Sequence, residues 1–482
     1  MSAIYWRELK ELLRSLRFRV AACIFLLGMA VNGFVMAGVY RELFEMHREI
    51  ETKGDERIRE AASHVESLAI NFNEIFGVSG QAEVLTLSAP PPKILPIVAG
   101  AELGGLQAVE WNFPDNVEPA DLGIGNQELP VRPVLDWEFM VRILLSFVAI
   151  ILSYDTVVGE RERGTLALTL AYPVSRRRVL LAKLAAIMTL LGWLLVAGSL
   201  LSIFIYLGKG GGALAATDYA RAGLFDLGAS LYLAIFVAVS LMVSSRARSS
   251  VSSLTTLLIF WIAVTIVIPQ GGTAAVQGSV TTVSDVQVEQ RVMQQLEGQV
   301  NELVGEMDSF IHSNPEEARR ENYASERNYA RRVNQMIATI KASLDEQQES
   351  HRRQARVVQN VLRLTPAGLF QIGSERLLGV GETRERHFLQ AVDRWSGIYT
   401  RFVEDEDMLD ADSPHIFYVQ NFMSSRAVDP NAVPRFKFEE IPISQSLKNS
   451  LLDWSLLLVE LAVALCLSFA WFARAPVSQA RS

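Results

Sequence analysis

The sequence predicts an all-α membrane domain of six transmembrane helices with two extracytoplasmic insertions, the first mixed α/β and the second dominated by a long helical hairpin. Half of the 482 residues are apolar, and the mean hydropathy is positive. Four runs of about 20 residues contain no charge, and a helix needs that length to cross ~30 Å of hydrocarbon. The runs are Val20–Val39, Leu184–Leu207, Leu227–Ser245 and Ser249–Ile268.

Two weaker apolar runs complete the six spans. The run at residues 137–154 contains Glu138 and Arg142, which are spaced i,i+4 and are expected to pair at its outer end. The run at residues 451–473 contains Glu460 about one third of the way along it. Because an acid inside a span is costly, Glu460 is a candidate functional residue. It faces a translocation path or pairs with a polar group on another helix or subunit.

Three other charged residues lie near the ends of spans. Asp226 and Asp453 are close to outer ends, where water is available to solvate a carboxylate. Lys183 stands just before the third span and is expected to extend its amine to the cytoplasm.

Basic residues beside the spans predict the orientation. The first 19 residues contain five cations, which places the N-terminus in the cytoplasm, because short loops rich in lysine and arginine stay inside. Counting the spans, with helices 2–5 within 136–269, also places residues 155–183 and the tail 474–482 inside. We therefore expect a multi-pass protein in the bilayer of the cytoplasmic (inner) membrane. A cleaved signal peptide is the alternative, but the apolar run at 20–40 is long for one.

Residues 1–19 are expected to form an amphipathic helix. Tyr5, Leu9 and Leu12 recur at helical spacing, and charged residues occupy the other faces. A basic amphipathic helix beside a span is expected to lie in the membrane interface. A simple topogenic anchor is the alternative interpretation.

The first insertion, residues 41–135, begins with a charged helical stretch that is expected to reach about Phe76. Proline-rich sequence follows, and we expect a small unit with several short strands there. Its core is predicted to contain Val84, Leu85, Leu87, Ile94, Leu95, Ile97 and Val98.

The second insertion, residues 270–450, is predicted to contain an antiparallel helical hairpin at 284–364. Apolar residues from Met293 to Phe310 alternate by three and four, as in the seam of a coiled coil. Thr365-Pro366 is expected to end the hairpin, and Glu382–Glu404 is expected to form another helix. A strand is expected at Phe436–Ile443.

The sequence does not indicate an enzyme. A P-loop ends in Gly-Lys-Ser/Thr, whereas Gly208–Gly212 lacks the hydroxyl residue. The cysteines Cys23 and Cys466 lie in predicted spans, which excludes thiolate metal clusters and disulfides in the insertions. The net charge of −8 resides in the outward segments and does not indicate nucleic-acid binding. We therefore expect no catalytic residue, metal or cofactor in this chain.

Residues 155–183 carry the strongest functional signal, with six cations against three acids between two apolar runs. Gly159 and Gly164 are expected to bracket a short helix whose charges form a polar, reversible docking surface. Thr165 is expected to cap the turn that follows. The candidate residues are Asp155, Gly159, Glu160, Arg161, Glu162, Arg163, Gly164, Thr165, Pro173, Ser175 and Arg176.

Apart from Arg161 and Arg163, these residues, read in that order together with Leu166 and Lys183, resemble the cytoplasmic coupling loop of permease subunits of ABC-type exporters, the ABC-2 membrane superfamily. Looser matches are Ser88–Pro92 and Leu364–Ala367. The resemblance implies that the loop docks onto a separate ABC ATPase subunit, which binds ATP and Mg, and that the amphipathic helix rests against it. It also implies a second permease chain, as a homodimer or a heterodimer.

Two other classes of function remain open on the sequence. A membrane-anchored scaffold or sensor would recruit extracytoplasmic partners without transport and would tolerate replacement of residues 155–183. A membrane-bound hydrolase would need a nucleophile and a base clustered in the insertions, and no motif indicates one. The hairpin at 284–364 is either a solvated spacer or a contact for an extracytoplasmic protein.

Overall fold

The structure is a computed structural model, and among the residues that it describes six helices are long and apolar enough to cross a membrane. The predicted number of spans is therefore confirmed. They are span 1 (Leu16–Ala61), span 2 (Trp137–Glu162), span 3 (Arg176–Gly208), span 4 (Ala216–Arg246), span 5 (Ser250–Ala275) and span 6 (Ile443–Ala473). The structure describes residues 2–69, 85–100, 108–112, 116–119, 135–171, 174–279, 294, 298, 349, 353–413, 415 and 423–474.

Helix α1 (Ser2–Arg14) precedes span 1, as predicted. The two are separated at Ser15, whose backbone is extended and whose Oγ accepts a hydrogen bond from the amide of Phe18 at 3.2 Å. This N-cap lets the chain change direction before span 1 begins. Span 1 is a 46-residue helix, and the short helix α2 (Val65–Ala69) follows it. The remainder of the helix predicted to reach about Phe76 lies outside the described residues.

Span 2 changes its helical type along its length. A turn at Trp137–Phe139 leads into a π-helical segment at Met140–Leu145 and then an α-helix at Ser146–Ser153. The carbonyl of Arg142 accepts hydrogen bonds from the hydroxyls of Tyr232 at 3.0 Å and Ser146 at 2.6 Å. These side chains satisfy a carbonyl that an ordinary α-helix would pair internally. The predicted Glu138–Arg142 ion pair is confirmed at 2.6 Å.

Span 2 ends in a short helix, α3 (Val158–Glu162), and a second short helix, α4 (Thr165–Ala171), lies between it and span 3. We call the end of the bundle that carries them the loop end. The opposite end carries both insertions and is called the insertion end. Span 5 continues towards the second insertion as a helix at Ile268–Ser279.

Glycines let the spans approach closely at two places. A Cβ at Gly33 would lie 2.4 Å from the carbonyl oxygen of Ser202, so the backbones of spans 1 and 3 are in contact there. A Cβ at Gly228 would lie 2.3 Å from the indole of Trp454, which places span 6 against span 4. Small residues at such crossings are typical of helices that associate in lipid.

The first insertion contributes a three-stranded antiparallel sheet in the order β1 (Leu85–Ser88), β2 (Ala108–Asn112) and β3 (Asn116–Pro119). Leu87 pairs with Val109, and Trp111 pairs with Val117. Six of the seven predicted core residues are buried, and Val84 lies outside the described residues. The six are Leu85, Leu87, Ile94, Leu95, Ile97 and Val98. They do not form one core, because Leu85 and Leu87 pack at the sheet whereas the other four pack against residues of the spans.

The two insertions share one core, which the sequence did not indicate. The ring centroid of Trp111, in the first insertion, lies 4.8 Å from that of Trp395 and 5.1 Å from that of Tyr399, both in the second insertion. The amide of Val65 also donates to the carbonyl of Arg426 at 3.0 Å. Apolar contact and backbone pairing therefore join segments that are more than 280 residues apart in the sequence.

The second insertion contains α5 (Pro366–Leu378) and α6 (Glu382–Met408). Thr365 caps α5, with its Oγ1 accepting from the amide of Gly368 at 3.1 Å, so the predicted stop at Thr365-Pro366 is confirmed. The helix predicted at Glu382–Glu404 is also confirmed. Gly379 ends α5 with a φ of 67°, a conformation that favours glycine.

The strand predicted at Phe436–Ile443 is wrong. Residues 436–442 follow an irregular path, and span 6 begins at Ile443. Their backbone carbonyls bind side chains instead of a neighbouring strand: His387 contacts the carbonyl of Glu439 at 2.9 Å, and Arg221 donates to that of Ile441 at 2.5 Å.

Most of the predicted hairpin at 284–364 lies outside the described residues, and its base lies within them. A Cβ at Gly272, in the helical extension of span 5, would lie 2.4 Å from the side chain of Val361. Val361 belongs to the helical segment 353–362 that returns towards α5. The chain leaving span 5 and the chain returning to α5 are therefore in contact.

Candidate functional site

Residues 155–171 form a helix–turn–helix at the loop end. The turn is at Gly164, whose φ of 74° favours glycine, so Gly164 ends α3 as predicted. Gly159 was predicted to stand before the helix, but it lies inside α3. Thr165 was predicted to cap the turn that follows; instead its hydroxyl donates to the carbonyl of Glu160 at 3.2 Å. Pro173 lies outside the described residues.

An ionic cluster lies beneath α3. The amine of Lys183 in span 3 lies 2.8 Å from Oε1 of Glu8 in α1 and 2.9 Å from Oε1 of Glu160 in α3. It also donates to the carbonyl of Thr156 at 3.2 Å. Arg7 completes the cluster, with its Nη2 2.8 Å from Glu160 and 3.1 Å from Glu8. One buried amine therefore connects α1, α3 and span 3.

This cluster corrects two expectations. The side chain of Lys183 is 1% exposed, so it does not extend to the cytoplasm. The Lys183 amine instead pairs with Glu8 and Glu160, because a charged amine in apolar surroundings is stable only with such partners. Glu160 is buried too and cannot belong to an exposed docking surface. Its Oε2 is buried without a hydrogen-bond partner among the described residues.

A second set of contacts holds α3 on spans 4 and 5. Arg161 is buried and donates to the carbonyls of Ser245, at 3.2 Å, and Ala247. Glu162 accepts from the amide of Ser250 at 2.8 Å and from its hydroxyl at 2.5 Å. Since the amides at the start of span 5 lack partners in their own helix, a carboxylate there is favoured.

The ends of the segment are held as well. Asp155 pairs with Arg17 of span 1 at 3.0 Å, and the Arg17 guanidinium lies 5.1 Å from the centroid of the Tyr154 ring. Ser175 precedes span 3 in an extended conformation. Arg176 donates to the carbonyl of Ala473 at the end of span 6 at 3.0 Å. Residues 155–176 therefore contact α1 and five of the six spans.

Four exposed residues of the segment lie at or just after the turn between α3 and α4. Glu162, Arg163 and Gly164 are exposed at the turn between α3 and α4. Leu168, on the exposed side of α4, is 67% exposed. We call Glu162, Arg163, Gly164 and Leu168 the turn face. It combines charge of both signs with one large apolar side chain, which suits a reversible protein contact.

Glu460 lies in the interior of span 6, 17 residues after its start and 13 before its end. Its Oε2 is buried, and no partner for that atom is present in the part of the chain that the structure describes. The structure does not bring Glu460 together with the loop residues. Across the described ranges there is also no group of three or more His, Cys, Asp or Glu side chains arranged to hold a metal.

Glu8 was missed by sequence reasoning. Burial opposes the ionisation of Glu8 most strongly, but Lys183 and Arg7 together hold its pKa below the usual range. The available signal was that Glu8 lies among the apolar positions of α1, where a charge is costly without a partner.

Acidification is expected to loosen α1 from span 3. Because the folded pKa of Glu8 is lowered, its stabilising contribution is present above the ordinary pKa of about 4.3 and is lost as pH falls through the lower folded value. A nitroxide label at an exposed position, Lys10→Cys, with Cys23 and Cys466 replaced by serine, should become mobile only at a pH below the ordinary glutamate pKa of about 4.3.

In a Glu8→Gln background the label mobility should vary much less with pH, while Glu11→Gln, at an exposed acid of the same helix, should leave the transition in place. A transition that persists unchanged in Glu8→Gln would contradict the assignment to Glu8.

Comparisons with known proteins agree with this architecture. Over residues 2–476 the sequence matches the family described as ABC-2 family transporter protein. The chain therefore belongs to the ABC-2 family of transporter proteins, and with its six apolar helices it is a multi-pass membrane protein.

Two curated relatives carry the same description, probable ABC transporter permease protein NosY. The relative from Pseudomonas aeruginosa is 32% identical over 129 residues, which is 25% of this chain and 44% of the relative. The relative from Stutzerimonas stutzeri is 46% identical over 44 residues, 9% of this chain and 16% of the relative. The chain thus matches less than half the length of either relative.

Proposed function

We propose that this chain is the membrane-spanning permease subunit of an ATP-driven ABC-type exporter, with residues 155–183 docking onto a separate ATPase subunit in the cytoplasm. Family membership supports the class of transporter. One observation carries the coupling role: residues 155–176 are fixed to α1 and to five spans by ion pairs and by hydrogen bonds of charged side chains, and the turn face remains exposed. Movement of the turn face by a bound ATPase would therefore also move the spans, because no flexible linker separates them.

The roles within the segment divide by burial. Glu162, Arg163 and Leu168 contact the ATPase, and Glu160, Arg161 and Lys183 hold α3 in position for that contact. The loop end, with both termini, faces the cytoplasm, because α1 and residues 155–183 are basic. ATP and Mg bind to the ATPase partner, and this chain contributes no catalytic group.

Two such permease chains form the transport path. Only 17% of the apolar window of span 5 and 22% of that of span 6 are buried within the chain. These spans therefore present most of their surface to lipid or to a second permease chain, either a copy of this one or a sister chain.

Removing the apolar contact of the turn face should release the ATPase. We expect Leu168→Asp combined with Arg163→Glu to reduce co-purification of a nucleotide-binding subunit with the tagged chain from native membranes at least about tenfold. Burial of one leucine is worth about 1.5–3 kcal/mol, and each 1.4 kcal/mol changes affinity about tenfold. ATPase activity of the purified material is measured in parallel.

Arg474→Glu is the control, since Arg474 is an exposed arginine at the loop end that lies outside residues 155–183. It should retain the partner. If the unmodified chain carries no ATPase, or if the double variant retains it fully, the coupling role is wrong. Co-purification with extracytoplasmic proteins alone would favour the membrane-anchored scaffold.

A further inference from the structure

Span 6 is fixed at the loop end by two arginines from other segments. Nη1 of Arg176, at the start of span 3, donates to the carbonyls of Phe472 at 3.2 Å and Ala473 at 3.0 Å. The guanidinium of Arg246, at the end of span 4, lies 4.7 Å from the centroid of the Trp471 ring. The last carbonyls of a helix lack partners in the helix and carry partial negative charge, so a cation there both caps and stabilises span 6.

Span 6 is fixed at the insertion end by one acid. Asp453 was expected to be solvated by water, but its side chain is 0% exposed. Its Oδ1 lies 2.7 Å from Nε of Arg363, and its Oδ2 lies 2.9 Å from Nη1 of Arg376. Arg363 directly follows the returning segment of the hairpin, and Arg376 belongs to α5. Burial is tolerated because each carboxylate oxygen has its own guanidinium.

The contacts around Asp453 extend into the hairpin base. Nη2 of Arg376 donates to the amide oxygen of Gln359 at 2.6 Å, so Gln359 and Arg363 of the returning segment are both attached. Trp454 lies between two glycines, where a Cβ at Gly228 would approach to 2.3 Å and one at Gly373 to 3.2 Å. The side chain after Asp453 is therefore enclosed between span 4 and α5.

The two fixed ends belong to one uninterrupted helix. Span 6 runs from Ile443 to Ala473, and the stretch from Asp453 to Ala473 corresponds to about 30 Å at 1.5 Å per residue. A hydrogen-bonded helix changes its length little under load. Displacement of Arg176 along the axis of span 6 is therefore transmitted to Asp453, while a flexible connection would absorb it.

We propose that span 6 is the rigid connection that carries movement of the 155–183 segment to the base of the outward hairpin. Arg176 contacts span 6 at the loop end, and Asp453 of span 6 contacts the hairpin base at the insertion end. Both are positioning residues. The source of the movement, ATPase closure, rests on the proposed function; the mechanical connection between the two ends does not, and it is testable in this chain alone.

The experiment measures amide hydrogen exchange of the full chain in lipid nanodiscs, with attention to residues 353–378 at the insertion end. Asp453→Asn leaves two guanidinium groups with a weaker partner and should accelerate exchange there at least about tenfold. Arg176→Gln should accelerate exchange in the same residues about threefold, although the change lies at the opposite end of span 6. Arg176→Lys, which keeps a cation, should give a smaller effect.

Two controls remove the same charges elsewhere. Arg177→Gln neutralises the neighbouring exposed arginine, and Asp55→Asn breaks the exposed pair with Arg435 at the insertion end. Neither should change exchange in residues 353–378. If Arg176→Gln perturbs only the loop end while Asp453→Asn perturbs residues 353–378, span 6 does not connect them and the inference is overturned. Capture of the ATPase, measured separately, reports on the proposed function, so the two failures are distinguishable.

Discussion

Lys183→Met is expected to destabilise the loop end by about 3 kcal/mol and to release α1 and α3 from span 3. Removing one partner of a buried ion pair costs about 3–5 kcal/mol, because the remaining charge stays buried without compensation. Here Glu8 and Glu160 would both remain. Arg7 still contacts each of them, which places the expected cost at the lower end of the range.

The measurement is local amide exchange in residues 2–14 and 155–171, where about 3 kcal/mol corresponds to exchange faster by roughly two orders of magnitude. Lys10→Met is the control, since Lys10 is an exposed lysine of α1 and should have little effect. Exchange in the insertions should stay unchanged.

A triple variant separates charge from packing. Lys183→Met with Glu8→Gln and Glu160→Gln removes the uncompensated acids together with the amine, and neutral replacement of a whole buried ion cluster is often tolerated. The triple variant should recover most of the protection lost in Lys183→Met. If it is as unprotected as the single variant, the cluster stabilises the loop end through packing of the Lys183 stem and not through charge.

The sequence predicted the elements of the loop end better than their contacts. The charge-free runs predicted the spans, because lipid permits few alternatives to an apolar helix of about 20 residues. Lys183 and Glu160 looked solvated because each stands in a charged segment. Their burial depends on Glu8, more than 150 positions away in the sequence. The local pattern of apolar residues does not predict so distant an ionic partner.

The insertions show the same limit. The alternation of apolar residues indicated that Leu85 and Leu87 would be buried, but their core is completed by Trp395 and Tyr399 from the second insertion. Asp453 appeared close enough to water to need no partner. Its two arginines come from the hairpin base and α5, which only the folded chain brings to the end of span 6.

The amide of Asn32 illustrates how an unremarked polar residue inside a span can determine stability. Asn32 is buried in span 1, and its Nδ2 donates to the carbonyls of Pro96 at 3.1 Å and Leu135 at 2.6 Å. Its Oδ1 accepts from the hydroxyl of Ser202 at 2.7 Å and from the indole of Trp137 at 3.2 Å. One side chain thus joins spans 1, 2 and 3 to the first insertion.

Asn32→Leu is expected to cost about 1–3 kcal/mol. The carbonyl of Pro96 also accepts from the amide of Trp137 at 3.2 Å, and the Trp137 indole also donates to Ser202 at 2.9 Å. The buried group that loses most is therefore the O–H of Ser202, whose acceptor is removed, whereas the carbonyl of Leu135 belongs to a residue that is 42% exposed and can bind water. A buried polar group left without a partner costs about 1–3 kcal/mol.

Thermal unfolding in nanodiscs measures the loss, and amide exchange in residues 94–100 tests whether that segment detaches first. Thr255→Leu is the control, because Thr255 is exposed on span 5 and its hydroxyl bonds only within its own helix, to the carbonyl of Val251 at 3.0 Å. An unfolding temperature equal to that of the control would show that these hydrogen bonds are re-formed with water, and that the insertion end is more hydrated than its burial indicates.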